Sequence, residues 1–446
     1  MVVSEKKPNI VLITIDSLRA DIVDCFLGGQ KRTPFLNSLA KKSYVFTNAI
    51  VPSLPTYFAF PSIMTGEVPF KFGNFLGIQD KAKTITEVLY KNNYNTYAFI
   101  ADNPFLYQEY GYDKLFNHFV NKNDSIISNK EIGVAVYKYK QDLSSFSSIS
   151  LFLSLYRTLI APKISVSGEK INFEAKKVLT CKKKSTKPFF LWLHYMDVHS
   201  PYYSGFKHFK QSKSWLKNLE AKRIFYQKIA RAQKEKIVKD KDLLLIIKEM
   251  YFASVEYIDH IVREIIDFIS HKFSNTIFII TSDHGEAFME HDFYHHAPVG
   301  LYNELLKAPL LIKFPGSKKS TKINSVASLL SIPKTICDVL NITNSFNGSN
   351  LINIKAKTSE LDKISLILYD AFDLLVKYGI FDNKTEIKGF EKMACYYDDN
   401  WKYIFNNTDK KELLFNIKKD SNETNDLSKT NKNKCNFYYK KLAKYL

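Results

Sequence analysis

The sequence predicts an α/β fold: a mostly parallel sheet with helices on both faces, followed by a smaller C-terminal α+β subdomain with a short antiparallel sheet. Three observations predict it. Nearly continuous apolar runs of strand length recur along the chain, at Asn9–Ile15 (NIVLITI), Thr96–Ile100, Phe189–Leu193 and Thr276–Thr281. Runs of this kind, rich in β-branched residues and not alternating with polar ones, are strands buried on both faces. Between them lie stretches with helical periodicity, and strand–helix alternation builds a parallel sheet. After about Lys318 the pattern changes to short strands joined by turn formers.

In chain order, the first run ends at Asp16, and Leu36–Ser43 and Ala82–Asn92 have helical length and amphipathic spacing. The lysine-laden stretch Phe206–Lys241 reads as an exposed, basic helical insertion at about 205–245. A helical pattern running from Lys234 to Ser270 is apolar on one face and charged on the other, so it covers the sheet. Ala394–Tyr397, Trp401–Phe405 and Leu413–Phe415 read as short strands, with Asp398-Asp399-Asn400 and Asn406-Asn407 supplying turn chemistry between them. The organisation is therefore a catalytic unit over 1–330 and an α+β subdomain over 331–446.

The composition of the 446 residues excludes several classes of function. At 45% hydrophobic and 24% charged residues the chain buries a large core. The balance of 64 basic against 45 acidic residues gives +19. Only six of the basic residues are arginine (Arg19, Arg32, Arg157, Arg223, Arg231, Arg263), which disfavours nucleic acid as a partner, because phosphate and base recognition exploits the bidentate guanidinium. Five scattered cysteines form no CxxC pair and no disulfide framework. Met1–Pro8 leads straight into a strand too short for a signal-peptide core. The best remaining apolar run, Ile149–Ala161, is interrupted by Ser154 and Arg157; it suits peripheral contact with a membrane surface and does not span one. These features predict a cytoplasmic protein with no integral membrane segment.

Four clusters carry the chemistry: Asp16 in TIDSLRAD; Thr56 in PSLPTYFAFPSIMTG; His194, Asp197 and His199 in LWLHYMDVHSPY; and SDHGEAFMEHDFYHH, which holds Asp283, His284, His291, His295 and His296. Polar residues just past strand carboxyl ends are where open α/β sheets build their sites. Asp-His-Gly after an apolar strand sets a carboxylate and an imidazole on one tight turn, with Gly285 letting the backbone bend. Two carboxylates and a histidine, Asp16, Asp283 and His284, are a donor set for a divalent cation with positions left open for substrate. The nitrogen ligand shifts the preference toward manganese, zinc or magnesium, with calcium the alternative.

The chain resembles the sulfatase family of the alkaline phosphatase superfamily over nearly its whole length. PNIVLITIDSLRAD, TPFLNSLAKKSYVFTNAI, FPSIMTG, PFFLWLHYMDVHSPY, SDHGEAFMEH and LYNELLKAPLLIKFPG match family segments in order, as does the tail from WKYIFNN to ETNDL. The resemblance implies an alkaline-phosphatase-like fold and a metal-dependent ester hydrolase, with Asp16, Asp283 and His284 at the metal. It also implies Thr56, His199 and His296 as catalytic, and His194, His295 and Asp197 as substrate-binding groups or partners that orient them.

Two departures matter. The second acidic position of the opening motif is Ser17, and the cysteine or serine that the family oxidises to formylglycine is missing from its place ten residues before Gly66, where Thr56 stands. Threonine there is similar to phosphoglycerol and phosphoethanolamine transferases of the superfamily. Ser53-Leu54-Pro55-Thr56-Tyr57 mimics the formylglycine motif three residues earlier, with Tyr57 in place of its arginine. A threonyl ester lacks the aldehyde route for expelling sulfate, which favours phosphoryl or phosphonyl chemistry. The alternatives are a sulfuric ester hydrolase with a modified Ser53 and a catalytically silent binding protein. The expected substrate is a small-molecule or glycan anionic ester.

Overall fold

The computed structural model describes residues 6–27, 31–68, 77–121, 167–181, 186–200, 202, 241–296, 300–354, 358–367 and 393–446. The Ile149–Ala161 run and nearly all of the basic 205–245 stretch lie outside them.

Eight strands form the central sheet, in the spatial order Thr321–Ile323, Tyr44–Phe46, Leu310–Lys313, Thr276–Thr281, Asn9–Ile15, Phe189–Tyr195, Asn95–Ile100 and His118–Val120. Leu310–Lys313 runs antiparallel to both its neighbours; every other pairing is parallel. The apolar runs occupy the middle for the reason their composition suggests. Ile10 and Leu12 point to one face with Phe190, Trp192, Ile277 and Ile279, whereas Val11, Ile13 and Ile15 point to the other with Leu191, Leu193, Phe278 and Ile280. Each face needs a cover. The first is covered by the helices Thr56–Thr65, Ile85–Lys91 and Ile332–Val339; the second by Gly168–Cys181 and the 32-residue helix Lys241–Lys272. The long helix lays down Ile247, Tyr251, Ile258, Val262, Ile265 and Ile269 at helical spacing, all buried.

The small antiparallel sheet has four strands, Ile364–Ile367, Met393–Tyr397, Lys402–Asn406 and Glu412–Phe415, and the helix Lys432–Leu442 packs Cys435, Tyr438 and Leu442 onto it. Three of these strands match expectation within about one residue; Ile364–Ile367 is an addition. It also pairs outside its own sheet: Leu366 N–H donates to Pro52 O at 3.1 Å, and Leu54 N–H donates to Leu366 O at 3.3 Å. The segment just before the Thr56–Thr65 helix is thereby fixed to the small sheet. Among the described residues no helix is long and apolar enough to cross a membrane.

Candidate metal centre and catalytic site

Asn9–Ile15 and Thr276–Thr281 are adjacent parallel strands with Thr14 level with Thr281, so the residues that follow emerge side by side. Asp16, Asp283 and His284 emerge there, all without solvent exposure, each with a ligand atom within 4.8 Å of the others. His284 Nε2 lies 3.8 Å from Asp16 Oδ1 and 3.5 Å from Asp283 Oδ2. Asp283 Oδ1 accepts from the His284 amide at 3.0 Å, whereas Oδ2 meets no hydrogen-bond donor among the described residues. Leaving a carboxylate oxygen buried and unpaired is costly. Burial, followed by the charge of Asp283, also drives the Asp16 carboxyl well above the usual carboxylate range. His284 Nδ1 donates to Gly285 O at 2.8 Å, which leaves the Nε2 lone pair facing the carboxylates. Two oxygens and one nitrogen, buried and short of donors, fit a divalent cation.

The expected role of Gly285 needs correction. Its backbone is not in the left-handed region; the constraint is close approach, since a Cβ there would sit 1.9 Å from Glu304 O. Gly285 N–H donates to Leu305 O at 2.8 Å, clamping the metal turn to the Tyr302–Leu306 corner.

The helix Thr56–Thr65 begins at the site, and Thr56 Oγ1 lies 3.0 Å from His284 Nε2. Ser53 does not approach it. Its hydroxyl donates to Leu366 O at 2.7 Å, on the small sheet. Ser17, which holds the second acidic position, bonds Asp16 Oδ1 at 2.9 Å through its hydroxyl and faces Asp283 Oδ1 through its amide at 3.4 Å.

The histidines divide. His296 stacks on His284 with ring centroids 4.4 Å apart, and His199 lies 4.8 Å from His296, so both border the metal cluster. His295 neighbours both rings. His199 Nδ1 donates to Ser200 O at 2.5 Å, and its Nε2 is left for other partners. Burial pushes both His295 and His296 well below the usual imidazole range, keeping them neutral.

Three expectations shift. His194 is inside the strand Phe189–Tyr195, not past its end, and is fully buried between Thr14 Oγ1 at 3.0 Å and Asn103 at 3.4 Å, with burial pulling its pKa to about 4. It sits behind Asp16 at 3.7 Å, where it can orient that carboxylate but cannot touch a substrate. Asp197 is not among the gathered donors and accepts from the Gly168 amide at 3.3 Å, at the start of the Gly168–Cys181 helix. His291 stacks on Tyr302 and bonds Glu304 at 2.6 Å, outside the cluster.

Sequence reasoning missed Asn103, whose amide donates to Asp16 Oδ2 at 3.1 Å, and Glu286, which is buried and meets His296 Nδ1 at 3.0 Å. Asn103 lies three residues past the strand end at Ile100, whereas Asp16 directly follows Ile15, so its place near the end of a buried strand was the available signal. Glu286 stands two residues past His284 in DHGE; no signal separated it from an ordinary surface acid.

Comparison with known proteins bears on the family. The family model described as sulfatase matches residues 8–342. The arylsulfatase K of Gallus gallus is 24% identical over 443 residues, covering 89% of this chain and 74% of its own. The solved phosphonate monoester hydrolase of Agrobacterium radiobacter superposes with a TM-score of 0.66 at 15% identity, over 98% of this chain and 95% of that one. A solved protein in complex with its substrate D-glucosamine-2-N,6-O-disulfate gives 0.64 at 15% identity, over 98% of each chain.

Proposed function

Because this chain belongs to the sulfatase family, we propose that it cleaves or transfers an anionic ester through a covalent intermediate on Thr56, with phosphoryl or phosphonyl esters favoured over sulfate. The observation that carries the reading is the 3.0 Å approach of Thr56 Oγ1 to His284 Nε2, within a cluster suited to a divalent cation. The cation, when bound, lowers the pKa of the hydroxyl and neutralises charge on the substrate anion. Asp16, Asp283 and His284 would hold it. Asn103 and Ser17 fix the Asp16 carboxylate by hydrogen bonds.

Thr56 opens a helix of ten residues, and the unpaired amides of a first turn favour a bound anion. Its hydroxyl proton passes to solvent, the oxygen attacks the phosphorus, the bond from phosphorus to the ester oxygen breaks, and the departing alkoxide takes a proton from His199, while His296, held neutral by burial, hydrogen-bonds the anion's oxygens. Water, or an acceptor alcohol, then displaces Thr56 from the phosphorus. The first attack needs a threonine that has lost its proton; unassisted, it is a weak nucleophile. Sulfate cleavage through formylglycine at Ser53 is disfavoured by the engagement of that hydroxyl with Leu366 O. The protein solved with a disulfated glucosamine supports a glycan ester as one substrate class.

The test is intact-mass and peptide analysis after mixing the enzyme with phosphate, phosphonate and sulfate esters. A phosphoryl or phosphonyl adduct on the Thr56 peptide is expected, and Thr56→Ala should lower turnover by several orders of magnitude with metal content retained. Sulfate turnover accompanied by an aldehyde at Ser53, or a Thr56→Ala enzyme with a tenth of the wild-type rate, refutes the assignment.

A further inference from the structure

A second group of donors lies against the first, and its assembly follows from the chain itself. Ala287–Phe288 and Tyr294–His295 form a two-stranded antiparallel hairpin in which Ala287 pairs with His295. That register brings His296, one residue on, back beside Glu286, one residue before. The Glu286 side chain has no solvent exposure and those of His295 and His296 little. His296 Nδ1 is 3.0 Å from Glu286 Oε2, and His295 Nδ1 is 3.6 Å from Oε1.

The proton inventory of this cluster is short. His295 Nδ1 accepts the backbone N–H of His296 at 2.9 Å, so it carries no hydrogen of its own to offer. It therefore offers no donor to Glu286 Oε1, which lies 3.6 Å away. Glu286 Oε1 meets no hydrogen-bond donor among the described residues. A buried carboxylate oxygen without a donor is costly, and a cation shared with the neighbouring imidazoles relieves that cost. The separations suit one: donors 2.0–2.2 Å from a tetrahedral ion stand about 3.4 Å apart, and the two measured spacings fall on either side of that.

We propose that Glu286, His295 and His296 form a second divalent-cation site adjoining that of Asp16, Asp283 and His284. One carboxylate and two imidazoles select zinc or manganese over calcium. A small turn of the His295 ring about its soft terminal torsion exchanges the backbone hydrogen for the ion. The two sites are linked through Ser17, whose hydroxyl is 2.9 Å from Asp16 Oδ1 and 3.4 Å from His296 Nδ1. Ser17 thus stands between two cation sites where the family motif has a further acid. Ligation through His296 Nδ1 leaves that ring's proton on Nε2.

The experiment counts metal. The full-length chain is stripped with a chelator, reconstituted with Zn2+, dialysed, and its zinc measured per chain by plasma mass spectrometry. Wild type is expected to hold two equivalents and Glu286→Gln one; His296→Gln should repeat the loss in case the first variant folds poorly. Asp283→Asn should also hold one, and Asp283→Asn with Glu286→Gln none. Anomalous scattering at the zinc edge from Asp283→Asn crystals should place the remaining ion against Glu286. A wild type with one equivalent that Asp283→Asn abolishes and Glu286→Gln leaves untouched overturns the proposal, as does a Glu286→Gln protein that keeps two. An Asp283→Asn protein that keeps two equivalents, with Glu286→Gln at one, instead refutes the first site and leaves this one standing.

Discussion

Lys402 and Glu423 form an ion pair 2.5 Å apart with neither side chain exposed to solvent. Lys402 also lies 3.3 Å from Asn303 Oδ1 and 4.9 Å from the centre of the Tyr397 ring, and Glu423 Oε2 accepts the Asn303 amide at 2.7 Å. The pair joins the small sheet to the Tyr302–Leu306 corner that clamps the metal turn. Replacing Lys402 by Met preserves most of the stem's packing but strands the Glu423 carboxylate, which burial already raises above its ordinary range. Breaking a buried pair from one side costs about 3–5 kcal/mol. Lys402→Met with Glu423→Gln removes both charges, keeps the acceptor for Asn303, and should recover most of that loss. Urea unfolding of wild type, both single variants and the double variant gives the coupling directly. The pH dependence adds a second reading. In Lys402→Met a folded-state carboxyl pKa far above the unfolded value means that the folded chain binds the extra proton, so the deficit should shrink as pH falls below neutrality. A Lys402→Met loss under about 1 kcal/mol, or single-variant losses that simply add, would refute the view that the pair is electrostatically isolated from water.

Gly285→Ala should expel the metal turn from its seat, because the new Cβ meets backbone at 1.9 Å; near-normal zinc content and thermal midpoint in that variant would contradict the clamp. Burial lowers the Lys307 ammonium to about 8, while its Nζ still donates to Asn48 at 2.6 Å. The unfolded chain then binds more protons between pH 8 and 10.5, so wild-type stability should gain on the order of 1–3 kcal/mol across that window, the lower end applying because some solvent reaches the side chain. Lys307→Met should flatten that slope in pH-resolved denaturation. Asp197→Ala should cost about 1 kcal/mol of stability as a lost helix cap and leave kcat and KM within twofold; a large fall in kcat would return Asp197 to the site.

The strands that carry the candidate cation donors were legible because a strand buried on both faces must be apolar throughout, which leaves Asp16 and Asp283 conspicuous where Ile15 and Thr281 end. The turns of the small sheet were legible through Asp398-Asp399-Asn400 and Asn406-Asn407. His194 was misplaced by two residues because a histidine satisfied by Thr14 and Asn103 looks, in one dimension, like the first polar residue beyond a strand. Asp197 and Glu286 illustrate the same limit. A carboxylate's role depends on what lies across space, here the Gly168 amide for one and a returning hairpin for the other. Gly285 was singled out correctly, but its reason is tertiary: no local pattern announces that Glu304 O will rest against its α-carbon.

The pairing of Pro52–Leu54 with Leu366 has a consequence for biosynthesis. Thr56 leaves that pairing by two residues, whereas the donors it faces hang from the central sheet, so the gap between hydroxyl and donors is set by segments more than 300 residues apart in the chain. As a ribosome delivers the protein from its N-terminus, Asn9–Ile15 can pair on both its sides once Thr281 has emerged, but the rail that holds Thr56 is delivered later, with Leu366. The growing chain would thus gather its candidate cation donors before the Thr56 hydroxyl is locked in register, and the site would be complete only when the edge of the last sheet closes.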